Sequence, residues 1–83
     1  MNFKVLVDLD LAFEMPDDPG SKKKILAFMR SLSAEPVAKA DFFELDPDSA
    51  IIYTKIIDDK AVSYLVDSEK MEVSVEFIRP ADS

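Results

Sequence analysis

Hydrophobic and polar residues alternate along the first part of the chain. Between residues 2 and 12, the apolar side chains on one side are Phe3, Val5, Val7, Leu9 and Leu11. A period of two over this length predicts a half-buried strand. Residues 14–20 hold two prolines and the only glycine, which predicts a loop after the strand.

The apolar spacing becomes helical after this loop. Ile25, Phe28, Met29 and Leu32 follow the i, i+3, i+4, i+7 pattern of an amphipathic helix. Ser21 is the expected N-cap, because its hydroxyl is suited to accept a hydrogen bond from the first turn. The pattern predicts one helix over residues 21–33, before Pro36.

The second half of the chain is strand-like. The predicted strands are 37–45, 51–57, 61–66 and 71–79. They are separated by a type I turn at 46–49, a two-residue turn at Asp58 and Asp59, and a loop at 67–70. Residues 80–83 are expected to fray.

These turns predict which residues face each other across the strands. With Asp58 and Asp59 in the turn, Tyr53 lies opposite Tyr64, and the next loop places Tyr64 opposite Val73. The face that the helix should cover then holds Ile51, Tyr53, Ile57, Val62, Tyr64, Val66, Met71, Val73, Val75 and Phe77. We expect a single α+β domain over 1–83, with one helix packed on one face of a four- to five-stranded, mainly antiparallel sheet in the order β-α-β-β-β-β. The strand order stays open.

The opposite face of the predicted sheet has an apolar centre. Ile52 lies opposite Leu65 and Ile56 opposite Ala61, and the carboxylates of Glu72 and Glu76 border this group. One helix cannot cover both faces of the sheet. An exposed apolar patch of this kind is a candidate contact surface.

Charge is unevenly distributed along the chain. Seventeen acidic and ten basic residues give a net charge of −7. Lys22, Lys23, Lys24 and Arg30 lie in one stretch without acids, so the rest carries 17 acids against 6 bases, or −11. We expect Asp17 and Asp18 to neutralise the lysines. Strong acidity disfavours direct binding to nucleic acid or to an anionic membrane, and favours a basic protein surface as partner.

The chain has neither cysteine nor histidine. Thiolate nucleophiles, thiolate metal ligands and imidazole bases are therefore absent, and we expect no cofactor, no bound metal and no enzymatic activity. The lack of disulfides in so small a domain favours the cytoplasm of a bacterial or host cell.

Carboxylates are the remaining candidates for chemistry. Asp8 and Asp10, after an apolar strand, resemble the first motif of haloacid-dehalogenase-type phosphatases, which implies a nucleophilic Asp8 beside Mg²⁺. Ala12 departs from that motif, and the chain is too short for the family's fold. Two acidic clusters, at residues 14–18 and 41–48, lack the glycine and the spacing of a calcium loop. A carboxylate-dependent metal-binding domain therefore stays a remote alternative.

The sequence thus predicts a non-enzymatic acidic binding protein. We expect an inhibitor or immunity-type module, phage-encoded of the anti-CRISPR or nuclease-inhibitor type, that blocks a basic, nucleic-acid-binding surface of a partner protein. The alternative is a subunit that self-associates, for example as a homodimer, through the exposed sheet face. The predicted contact residues are Ile52, Ile56, Leu65, Glu72, Glu76, Asp46, Asp48, Asp58 and Asp59.

Overall fold

The computed structural model describes residues 2–37, 40–45 and 51–81. Its elements are β1 (Lys4–Val7), the 3₁₀ helix η1 (Leu9–Glu14), α1 (Pro19–Ser31), β2 (Phe42–Leu45), β3 (Ile51–Ile57), β4 (Lys60–Asp67) and β5 (Glu72–Pro80). The five strands form one sheet in the order β1-β5-β4-β3-β2, with β1 parallel to β5 and all other pairs antiparallel. The predicted α+β fold is confirmed, and the strand order that the sequence left open is now defined.

The first strand is shorter than its alternating pattern predicts. The carboxylate of Asp8 accepts a hydrogen bond from the backbone amide of Asp10 at 3.0 Å, and the carbonyl of Asp8 accepts one from Leu11 at 3.0 Å. These bonds start η1 where the sequence predicts more strand. Because η1 turns the chain, Leu11 is buried while Leu9 is 88% exposed.

The helix begins two residues before its predicted start. Pro19 is its first residue, and the N-cap is Asp18, whose carboxylate accepts a hydrogen bond from the amide of Ser21 at 2.9 Å. The prediction that Ser21 is the N-cap is wrong. Its side chain is buried, and the hydroxyl donates a hydrogen bond of 2.6 Å to Asp58 in the β3–β4 turn.

The predicted pairing of β3 with β4 is confirmed. Ile52 lies opposite Leu65, and Ile56 lies opposite Ala61. Asp58 in the intervening turn has a φ of 56°, a left-handed conformation that aspartate tolerates better than most residues.

The predicted pairing of β4 with β5 is wrong by two residues. Val66 faces Val73 and Tyr64 faces Val75, because the connecting turn extends to Met71, which has a φ of 56°. A shift of two residues keeps each side chain on its predicted face.

A β-bulge changes the orientation of the last strand. Ser63 pairs with Phe77 and Tyr64 with Val75, so Glu76 is an extra residue in β5. Beyond it, Ile78 is buried in the core and Phe77 is 43% exposed on the opposite face. The prediction that Phe77 lies on the core face is therefore wrong.

The core lies between α1 and one face of the sheet. Its buried apolar residues are Leu11, Ile25, Phe28, Met29, Leu32, Ile57, Val62, Tyr64, Val73, Val75 and Ile78. At its centre the ring of Tyr64 lies 5.7 Å from that of Phe28 and 5.8 Å from that of Tyr53. Burial raises the pKa of the Tyr64 hydroxyl to about 12, with smaller contributions from Tyr53 and Asp41, so it stays neutral.

The end of β5 lies within the predicted tail. Pro80 pairs with Lys60, and the amide of Ala81 donates a hydrogen bond of 2.9 Å to the carbonyl of Asp59. The remaining two residues of that tail lie outside the described residues. None of the helices in the described ranges has the length and the hydropathy of a membrane-spanning segment.

Candidate functional site

The face of the sheet opposite α1 carries rows of apolar side chains. We call this surface the uncovered face. Its apolar residues are Leu6, Phe42, Ile52, Ile56, Ala61, Leu65 and Phe77. Phe42 is 51% exposed, Phe77 43% and Leu6 38%, while the central aliphatic residues are half-buried by their neighbours. The uncovered face therefore offers aromatic and aliphatic contact area across all five strands.

A polar pair lies in the middle of this face. The hydroxyls of Thr54 and Ser63 are 3.0 Å apart, and Thr54 is only 4% exposed. In the sheet register, Phe42 lies beside Thr54 and Phe77 beside Ser63. Because the two hydroxyls satisfy each other and are flanked by rings, the centre of the face is suited to apolar contact.

The structure brings together part of the predicted contact set. Ile52, Ile56 and Leu65 lie on the uncovered face, as their register requires. Glu76 is exposed at the bulge, and Glu72 is half-buried opposite Lys4 of β1. Sequence reasoning missed Leu6, Phe42 and Phe77 on this face. For Leu6 and Phe42, the alternation of neighbouring residues is a sequence signal that could have placed them on this face. Phe77 has no such signal, because the bulge that turns it outward leaves no pattern in the sequence.

An acidic cleft borders the uncovered face where η1 meets β5. Its volume is about 370 Å³. The cleft is lined by four carboxylates, those of Asp8, Asp10, Glu14 and Glu76. Phe77 and Arg79 also line it, with the guanidinium of Arg79 4.0 Å from the centre of the Phe77 ring. The cleft therefore continues the apolar face into a negatively charged edge. The sequence did not indicate it, because it arises from the turn of the chain into η1.

The predicted turn acids are not gathered on this face. Asp58 accepts hydrogen bonds from the hydroxyl of Ser21 at 2.6 Å and the ammonium of Lys24 at 3.0 Å, so its carboxylate points toward α1. These two bonds lower the pKa of Asp58. Asp59 is exposed in the same turn. Asp46 and Asp48 lie outside the described residues.

The lysines at the start of α1 are not neutralised as the sequence predicts. Asp18 caps the helix, and Lys24 forms an ion pair with Asp58 in the β3–β4 turn. Within the described ranges, no ion pair joins Lys22 or Lys23 to an acid. These two ammonium groups stay available on the outside of the helix.

Asp41, which directly precedes β2, continues the hydrogen bonding along the edge of β3. Its carboxylate accepts a hydrogen bond from the amide of Ile56 at 2.7 Å, and its own amide donates one to the carbonyl of Thr54 at 2.9 Å. The bond from Ile56, together with the nearby Lys55, lowers the pKa of Asp41. This carboxylate is thus part of the sheet's hydrogen-bonding pattern.

The acidic residues do not form a metal site in the part of the chain that is described. Among those residues, no group of three or more acids is placed to hold a metal ion. Asp8, the nucleophile implied by the phosphatase-like motif, instead caps η1.

Comparison with known proteins supports the fold alone. No family model matches the chain, and no curated protein matches it either. Among solved structures, it is similar to a chain in the crystal structure of the archaeal RelE–RelB complex from Pyrococcus horikoshii OT3. The match has a TM-score of 0.78 at 20% identity and covers 98% of this chain and 97% of that one. The two chains therefore share their architecture over nearly their whole length.

Proposed function

We propose that this chain is a non-enzymatic protein-binding module of the inhibitor or antitoxin-like kind. Its uncovered face would cover a basic, nucleic-acid-binding surface of a partner protein. The observation that carries the proposal is the continuity of the apolar face with the acidic cleft at Phe77 and Glu76. The similar fold of a chain found in a two-protein complex supports it. A viral or anti-CRISPR-type origin stays a narrower prediction.

The mechanism combines burial with charge. Phe42, Ile52 and Leu65 supply apolar area, whose removal from water favours association by about 25 cal/mol per Å² before the costs of ordering are counted. The net charge of −7 attracts a basic partner over distance. The carboxylates of the acidic cleft then accept a lysine or arginine of that partner, beside the Phe77 ring that Arg79 already covers.

Substitutions at two neighbouring residues on opposite faces of β2 test whether the uncovered face binds the partner. Phe42 lies on the uncovered face and is 51% exposed, while Phe43 contacts Tyr53 on the other face and is 65% exposed. We expect Phe42→Lys to weaken binding of a partner purified with the tagged chain from its native host by at least about tenfold. The matched control, Phe43→Lys, retains binding, as measured by calorimetry.

Salt and growth assays test the remaining parts of the proposal. Affinity should fall as salt rises, because screening weakens attraction between the acidic chain and a basic partner.

Expression of the chain alone should leave growth of the host unchanged, and its expression together with the partner should relieve any inhibition that the partner causes. Equal loss of binding in both phenylalanine variants, salt-independent affinity, or growth arrest by the chain alone would each contradict the proposal.

The second candidate is self-association. It is favoured by β2, a strand at the edge of the sheet with Phe42, Phe43 and Leu45 at least half exposed. Such an edge pairs readily with another strand. Light scattering at high protein concentration decides this, since a monomer across the whole range excludes it.

A further inference from the structure

A second cleft lies between η1 and α1, and it differs from the acidic cleft in having a mostly apolar lining with lysine beside it. It has a volume of about 350 Å³. Its lining is mostly apolar and includes Val7, Asp8, Leu9, Leu11, Lys22 and Leu26. Leu11 and Met29 are buried and form its floor, while Leu9 is 88% exposed at its mouth. We call it the apolar cleft.

Several apolar side chains around the apolar cleft are exposed to solvent. Val7 is 46% exposed, Leu26 41% and Leu9 88%. Scattered single apolar residues on a surface are ordinary, but these residues are gathered around one concave site. Such a concentration is typical of a site that receives another apolar side chain.

The α1 side of the apolar cleft is basic in an otherwise acidic molecule, while Asp8 lines its other side. Lys22 and Leu26 also line the adjacent shallow surface of α1, which carries Lys23 and Arg30 as well. In the described part of the chain, no ion pair engages these three cations. Cations in the first turn oppose the helix dipole, so Lys22 and Lys23 do not serve the stability of α1.

From this combination we propose that the apolar cleft binds an acidic amphipathic segment of a partner protein. Apolar side chains of that segment enter between Leu9 and Leu26, and its carboxylates contact Lys22, Lys23 and Arg30. Charge complementarity selects this occupant. An anionic membrane is disfavoured, because its extended surface would also face the acidic rest of the chain, with 17 acids against 6 bases, whereas a short segment contacts only this basic patch. The proposal is independent of the function proposed for the uncovered face.

Peptide display on the purified full chain tests this proposal. We expect a random peptide library to yield binders in which leucine, isoleucine or phenylalanine recur at helical spacing among aspartates and glutamates. Leu9→Glu should weaken these binders by at least about tenfold, because it removes the apolar contact of the leucine and adds a charge that repels their carboxylates. Leu9 is 88% exposed, so the variant is expected to fold.

Matched controls separate the site from general effects. Leu45→Glu makes the same change at a residue 71% exposed on β2 and should leave peptide binding unchanged. Lys23→Glu should weaken binding several-fold, whereas Lys70→Glu, an equal charge change in the β4–β5 turn, should not. Phe42→Lys, which tests the uncovered face, should also leave these peptides bound.

Four outcomes would overturn the proposal. Selection of basic peptides, or of none, contradicts the predicted chemistry. Equal effects of Leu9→Glu and Leu45→Glu place the binding elsewhere. Binding to vesicles of phosphatidylcholine and phosphatidylserine that Lys23→Glu abolishes assigns the cleft to a membrane. A dimer in light scattering that Leu9→Glu converts to a monomer assigns it to a second copy of the chain.

Discussion

The hydroxyl of Tyr64 is the least satisfied polar group of the described core. The side chain is fully buried between Phe28 and Tyr53, and among the described residues its hydroxyl oxygen has no hydrogen-bond partner. A buried polar group without a partner lowers stability, because it loses its hydrogen bonds to water on folding. The ring of Tyr64 therefore stabilises the folded state through its packing, whereas its hydroxyl lowers that stability.

Removal of that hydroxyl should stabilise the protein. We expect Tyr64→Phe to raise the free energy of unfolding by about 1 kcal/mol, the low end of the cost of an unsatisfied buried group. Urea denaturation measures this. Tyr53→Phe, in the same ring stack but only partly buried, serves as the control and should change stability less. A loss of stability in Tyr64→Phe would show that the hydroxyl has a partner.

At the scale of elements, one carboxylate joins α1 to the β3–β4 hairpin. Asp58 binds both Ser21 and Lys24 of the helix, while its own backbone makes the turn between the strands. The contact fixes where the helix begins relative to the sheet. Hydrogen bonds to the ionised carboxylate lower its pKa in the folded state, so acid should weaken this junction.

The pH dependence of stability should therefore change when Asp58 is replaced. A lowered pKa in the folded state contributes stability above the ordinary value of 3.8, and this is lost as the pH falls through the folded value. We expect Asp58→Asn, which still tolerates positive φ, to unfold with a shallower pH dependence below pH 3.8 in urea titrations.

Asp59→Asn is the matched control for this prediction. It removes the same charge from the same turn and should keep the pH dependence of the unchanged protein. An identical response of the two variants would mean that Asp58 contributes to acid stability only through the total charge.

The sequence predicted the elements whose residues follow a regular hydrophobic pattern or a clear turn signal. It did not predict the elements whose conformation depends on a single local hydrogen bond or bulge. The two-residue turn at Asp58 and Asp59 defined the β3–β4 register, because each position of a hairpin is fixed once its turn is known. By contrast, the alternation through residue 11 favoured strand over η1, since the capping carboxylate of Asp8 outweighed it. The β-bulge at Glu76 left no pattern, because both Phe77 and Ile78 are apolar and either suits the core.

At the scale of the whole molecule, charge and shape distinguish two candidate surfaces, which adjoin at Asp8 and Leu11. The uncovered face and the acidic cleft form one continuous surface on the sheet side. The apolar cleft and its cations lie on the helix side. A small domain with opposite charges at its two candidate surfaces is suited to contact two different protein segments.

The excess of acids should make stability depend on salt. The net charge of −7 repels itself in the compact state, and screening relieves that repulsion. We expect about 0.3 M NaCl to raise the melting temperature at neutral pH by about 2–4 °C, equivalent to about 0.5 kcal/mol in a domain of this size. Near the isoelectric point of about 4.4, the rise should vanish. A melting temperature that falls with salt would show that ion pairs such as Lys24–Asp58 dominate instead.

The sequence by itself determined the fold class, the β3–β4 register and the placing of Ile52, Ile56 and Leu65 on one face. These follow from local periodicity and turn chemistry, which act over a few residues. Only the tertiary structure decided the strand order, the exposure of Phe42 and Phe77, and the two clefts beside η1. These depend on contacts between distant segments, such as β1 with β5 or Ser21 with Asp58, whose partners no local pattern specifies.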